Sequence, residues 1–112
     1  SILTAEISKA TFGMTPSEYK QFKGLKKENL RDHMDDLELI FSMLGEKVST
    51  EITRKEDKQG FIEVKDAAKR GGRVAGNARK ETEHELGRPV TSRENYISEP
   101  QKNKKLEDKS RK

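Results

Sequence analysis

Residues 60–87 read GFIEVKDAAKRGGRVAGNARKETEHELG. Phe61, Val64, Ala68, Gly71, Ala75, Ala78 and Thr82 recur at steps of three and four, the spacing of one face of an α-helix. Only the first two are large. The middle of this heptad-like seam is alanine and glycine, so it buries little area but lets another backbone come very close. Gly87, with Pro89 just beyond it, ends the helix. Gly71, Gly72 and Gly76 each weaken an isolated helix by about 1 kcal/mol. The segment is therefore expected to need a packing partner to stay helical.

A partner stands upstream. Leu37, Ile40, Phe41, Leu44, Val48 and Ile52 also lie three and four apart, which predicts an amphipathic helix over residues 35–56. Asp35 and Glu38 form a capping-box pattern at its start, and Gly45 costs it about 1 kcal/mol without breaking it. The polar residues 56–60, EDKQG, end in glycine and read as a turn. Two long helices joined by a short turn make an antiparallel hairpin. The small-residue seam then packs on the 35–56 helix or on a second copy of itself.

Shorter helices come first. Residues 3–12, LTAEISKATF, put Leu3, Ile7 and Ala10 on one side and stop at Gly13. Thr15-Pro16-Ser17-Glu18 offers a cap, a proline at the first helical position and a glutamate three residues after the cap. That helix carries Tyr19 and Phe22 and stops by Gly24, before a turn and a short helix through Leu25, Leu30 and Met34. Beyond Pro89 the chain is expected to be extended or to wrap back over the hairpin with Val90, Tyr96 and Ile97. From Glu99 onward one leucine and no periodicity predict a basic tail that is disordered or an isolated charged helix. The fold class is all-α, with a helical module over 1–98 and the tail over 99–112.

Composition narrows the function. The chain has 112 residues, room for one domain at most, with 29% hydrophobic and 39% charged residues and no tryptophan. Globular chains usually hold roughly 45–50% apolar residues. A core this poor is marginal, so a homodimer, or membership of a longer protein, is expected. The start at Ser1 fits a fragment of a longer chain. Without cysteine there is neither a disulfide nor a thiolate metal site. No apolar run approaches the ~20 residues of a membrane span, and residues 1–10 hold no signal-peptide core. A soluble, cytoplasmic protein with no membrane partner is expected. The net charge of +4 belongs to the tail: residues 101–112 hold six basic and two acidic side chains, and the other hundred hold eighteen of each sign.

The candidate binding residues are Lys69, Arg70, Arg73, Arg79 and Lys80, which flank the seam. Small residues let a helix settle near phosphates while flanking cations replace counterions. Nothing points to an enzyme or to a cofactor. GGRVAG lacks the GK[ST] ending and the preceding strand of a phosphate loop. Asp32, His33, Asp35 and Asp36 are metal-capable, but neighbouring helical residues point apart, so capping and solvated charge explain them better than a metal. His84 suits the negative end of a helix dipole. Tyr19, Phe22, Phe41 and Phe61 fall on apolar faces and read as core, whereas Tyr96 does not.

Gly24-Leu25-Lys26-Lys27, Asp32-His33-Met34 and Glu38-Leu39, within GLKKENLRDHMDDLEL, resemble the C-terminal half of the DNA damage-inducible protein D (DinD) family. The likeness continues through ISKATFGMT upstream and VAGNARKETEHELGRPV downstream, and covers most of residues 3–97. GLKK followed by DHM at this interval is its more specific part. The resemblance implies a bacterial or prophage protein of the SOS response, preceded in full-length members by a portion similar to the Bro-N domain of phage antirepressors. It also implies inhibition of RecA-driven strand exchange, so the expected partners are a RecA-type recombinase filament or single-stranded DNA. The alternative is an oligomerisation or partner-binding module of a phage antirepressor with no DNA contact of its own. The alanine-glycine run is more pronounced here than in the family pattern.

Overall fold

The computed structural model describes residues 2–57 and 59–94, and they are all-helical. Helix α1 spans Ile2–Phe12, α2 Pro16–Lys23, α3 Asp36–Lys55 and α4 Phe61–Leu86. A single 3-10 turn, Leu30–His33, stands where a short helix was expected. The expectations for Tyr96, Ile97 and the tail lie outside the described residues.

Local chemistry sets the helix ends. Thr15 and Asp35 each accept a backbone N–H three residues on, and Glu18 and Glu38 return the bond to the cap, so both capping boxes are complete. Gly13, Gly24 and Gly87 end their helices at positive φ, where a β-carbon is strained. Asp57, at φ 52°, opens the turn between α3 and α4; aspartate is among the few side chains that tolerate this region.

The hairpin of α3 and α4 is antiparallel: Gly71 meets Ser49, and Ala75 meets Gly45. A β-carbon on Gly71 would overlap the Ser49 backbone. Helix α4 has a second partner, which the seam did not foretell. Gly72 meets Ile7 and Gly76 meets Ala10, so α1 runs parallel to α4 and packs on its other side. A β-carbon on Gly72 would lie 2.6 Å from that of Ala10, and one on Gly76 would overlap the Ala10 carbonyl. Gly45 of α3 closes the triangle, where a β-carbon would come within 2.6 Å of Thr11 Oγ1. The three helices thus meet backbone to backbone.

Two partners bury a wider arc of α4 than one. Ala67, Ala68, Gly71, Gly72, Ala75 and Gly76 are buried. Phe61, expected in the seam and in the core, is 56% exposed, because α4 begins beyond the reach of that packing. On α3 the buried stripe is Glu38, Phe41, Gly45 and Ser49. Ile40, expected on the apolar face, is 56% exposed. The buried face carries Phe41 and the glycine contacts and leaves Ile40 and Met43 outside it.

Large side chains gather at the other end of α3. Phe12, Tyr19, Met34, Phe41 and Val90 form a core cluster, joined by Phe22, Leu30 and Leu37. Phe12 and Tyr19 meet edge to face at 5.0 Å between ring centres. Inside this end lies a buried ion pair, Lys23 with Glu38, 3.0 Å apart and shielded from solvent. Glu38 accepts from Tyr19 Oη and the Ser92 N–H on one oxygen, and from Lys23 Nζ and the Asp35 N–H on the other. Lys23 Nζ also donates to the carbonyls of Ser92 and Glu94, at 2.7 and 2.8 Å. Breaking such a pair from one side costs about 3–5 kcal/mol. It fastens residues 88–94 as a strap across α2 and α3, with Val90 buried and Arg93 stacked 4.7 Å from the Phe22 ring.

Replacing Gly71 or Gly76 by alanine is expected to lower stability by about 1–3 kcal/mol through overpacking. Alanine is the better helix former by about 1 kcal/mol, so a rise in the urea midpoint would contradict the close approach. Gly60 caps α4 without a side chain and has open space around it; Gly60→Ser should gain a few tenths of a kcal/mol. Burial, and then the bond to Glu38, hold the Tyr19 phenol above its usual range. A raised folded-state pKa means full stability below the unfolded value near 10 and a loss above it of about 1.4 kcal/mol per pH unit. Urea titrations from pH 9 to 11 should show this alkaline loss in the parent and a shallower one in Tyr19→Phe.

Candidate nucleic-acid interface

Where α1 and α4 run side by side, their solvent edges leave a groove of about 500 Å³. One wall carries Glu6 and Lys9 of α1; the other carries Lys69, Arg73, Asn77 and Lys80 of α4. Ala10 and Gly76, the pair in backbone contact, lie at the bottom. Nothing longer than a methyl group rises from that floor.

Helical geometry explains the α4 wall. Steps of four, four and three residues from Lys69 through Arg73 and Asn77 to Lys80 trace one stripe. Over eleven residues it is about 16 Å long. All four side chains are exposed. Among the described residues Lys69, Arg73 and Lys80 take part in no ion pair or hydrogen bond. Lys9 approaches Glu18 at 3.7 Å, but both are more than half exposed and the pair is weak. Glu6, the one carboxylate on the lining among the described residues, has Lys65 at 3.6 Å. The groove therefore gathers four cations against one anion that already has a counter-charge.

The other two candidate residues stand elsewhere. Arg70 grips Glu56 with both arms of its guanidinium, at 2.9 and 2.8 Å, and ties the end of α3 to α4. The Glu56 bond and charge lift the Arg70 pKa further above its ordinary value. Arg79 turns inward, with its side chain only 13% exposed. Its Nε donates to the Thr11 carbonyl at 2.6 Å and its Nη1 to Glu83 at 3.0 Å. Glu83 in turn accepts the Val90 N–H at 2.9 Å. Arg79 thus links the end of α1 to α4 and, through Glu83, to the strap.

Reasoning from sequence missed Lys9 and Glu6. The spacing within α1 places Ala10 on a packing side, but no signal says that α4 packs there. Asp35 and Asp36 serve the start of α3, with Asp35 as its cap, and His33 and Met34 are buried. Among the described residues no three His, Asp or Glu side chains converge on a metal position. No helix among them is long and apolar enough to cross a membrane.

No protein-family model matches the chain, and neither a curated protein nor a solved structure matches it.

Arg79→Ala should destabilise the fold by about 1–3 kcal/mol, since it leaves Glu83 and the Thr11 carbonyl short of a donor. Lys80→Ala, one residue on and exposed to solvent, should change stability by less than about 0.5 kcal/mol. Thermal melts of the two variants check the assignment, and equal melting temperatures would refute it.

Proposed function

We propose that this chain is a regulatory module of the bacterial DNA-damage response or of a prophage, and that it engages DNA, or a recombinase filament formed on DNA, through the groove between α1 and α4. The observation that carries the DNA contact is the set Lys9, Lys69, Arg73 and Lys80, gathered in one concavity and left without strong counter-charges. Cations that are not neutralised internally are free to replace the counterions of a phosphate backbone. The place in the damage response rests on the likeness of GLKKENLRDHMDDLEL to the C-terminal half of the DinD family.

A second reading has its own support. Ile40 and Met43, one turn apart on α3, and Val74 on α4 are about half exposed. Apolar side chains left in water suit a module that pairs with a second copy or grips a protein partner, as in a phage antirepressor.

The triple variant Lys69→Ala/Arg73→Ala/Lys80→Ala separates the two readings. DNA affinity should fall, and the slope of log affinity against log salt should flatten by about 2–3, close to one unit for each phosphate no longer neutralised. An unchanged affinity would remove the groove from the function. No affinity in the parent at physiological salt, with a dimer mass by light scattering, would favour the second reading.

A further inference from the structure

The groove has features that select among nucleic acids. Its charges sit on a rigid support: α4 is held against both α1 and α3 by backbone-level contacts at Gly71, Gly72 and Gly76. The backbone positions that carry Lys69, Arg73 and Lys80 are therefore fixed along one stripe of α4, with Lys9 facing them from α1. Such a stripe matches a stiff polyanion better than a chain that must itself be ordered on binding.

Among the described residues no aromatic ring lines the groove. Phe12, Tyr19, Phe22 and Phe41 are in or against the core cluster. Phe61 lies eight residues before Lys69, about 12 Å along the helix. Single strands are usually held by bases stacked on aromatic faces in addition to backbone charge. Among the described residues the groove offers charge without stacking, and charge alone favours the denser polyanion, the duplex, with one phosphate per about 1.7 Å of axis.

Shape points the same way. A trough with a low floor accepts a convex ridge, and on duplex DNA that ridge is the sugar–phosphate backbone. Side chains set along such a trough do not reach base edges at the bottom of a major groove roughly 8.5 Å deep. The Asn77 amide, between Arg73 and Lys80, suits a phosphate oxygen, a common acceptor for asparagine. We infer that the groove binds the sugar–phosphate backbone of duplex DNA, without regard to base sequence and in preference to a single strand. The inference rests on the DNA-binding reading above and narrows its ligand.

Fluorescence anisotropy of the full chain tests it, using a labelled duplex, a second duplex of permuted sequence and one separated strand of the first. The duplex should bind at least about threefold tighter than the strand, the two duplexes should agree within about twofold, and Arg73→Glu should weaken duplex binding about tenfold or more and flatten the salt slope. Arg73 is exposed and makes no bond within the described fold, so circular dichroism of the variant should match the parent. Lys80→Glu serves as a second variant with the same expected direction. A strand that binds as tightly as the duplex overturns the inference and leaves DNA binding standing. A preference above about tenfold for one duplex overturns the indifference to sequence. Full affinity in both charge-reversal variants places the binding outside the groove and overturns the inference. Failure to bind any of the three ligands overturns the reading beneath it as well.

Discussion

The approach of α1 and α3 to α4 at backbone level is the constraint on which the rest of the molecule depends. It exists because residues 71, 72 and 76 lack a β-carbon, and Gly45 answers them from α3. At such distances the contact is made by main-chain atoms and methyl groups, so dispersion over many close atoms replaces the area that large side chains would bury. This is how a chain with 29% hydrophobic residues still packs three helices. The close fit has a local cost: Thr11 Oγ1 is buried against Gly45 and has no hydrogen-bond partner among the described residues. The groove inherits its form from the same approach. Because Gly76 and Ala10 touch, the walls that carry Lys9 and Arg73 stand close together over a low floor.

Large side chains and polar satisfaction are concentrated at the opposite end of α3. Glu38 lies in the middle of that end with two donors on each oxygen, and Lys23 Nζ donates to three acceptors. Burying two charges is expensive, and a buried pair is weak grounds for net stability. Its clearer effect here is to specify geometry. An unpaired charge at 0% side-chain exposure would be intolerable. The arrangement of α2, α3 and the strap is therefore the one in which both charges are met. Val90 and Arg93 add packing to that polar latch.

Much of this was legible in the sequence, and what was missed has physical causes. Caps, stops and the hairpin turn depend on residues close in sequence, so Thr15, Asp35, Gly24 and Gly87 could be read directly. Periodicity fixes which residues share a face but not how many neighbours that face meets. A helix wedged between two others buries an arc wider than one stripe, which is why Gly72 and Gly76 were left out of the seam. The same limit misplaced Ile40 and Phe61. Glu38 reads as a cap and is one, yet nothing local reveals that Tyr19, Lys23 and Ser92 also reach it. Spacing puts Lys69, Arg73 and Lys80 on one flank, yet the same reading counts Arg79 with them as a binding residue, although Arg73 and Arg79 are six residues apart and so about 120° apart around the helix. That angle sends one to the groove and the other to the Thr11 carbonyl.

Charge distribution then decides what kind of site the groove can be. Residues 1–100 are neutral in sum, so no field from the whole module steers a polyanion toward α4. Local pairing changes the picture. Arg70 is occupied by Glu56, Arg79 by Glu83, and Lys23 by Glu38, all away from the groove or beneath the surface. Of the cations left over among the described residues, Lys26, Lys27 and Lys55 stand elsewhere on the surface, whereas Lys69, Arg73 and Lys80 share one groove with Lys9. At physiological salt their field fades within about 8 Å, a distance that reaches a ligand seated in the trough but not one approaching from afar. Attraction therefore acts mainly at close range, and shape has to bring the phosphates within it. A close-walled groove with a glycine-alanine floor does so, which ties the charge reading back to the glycines that set the helices together.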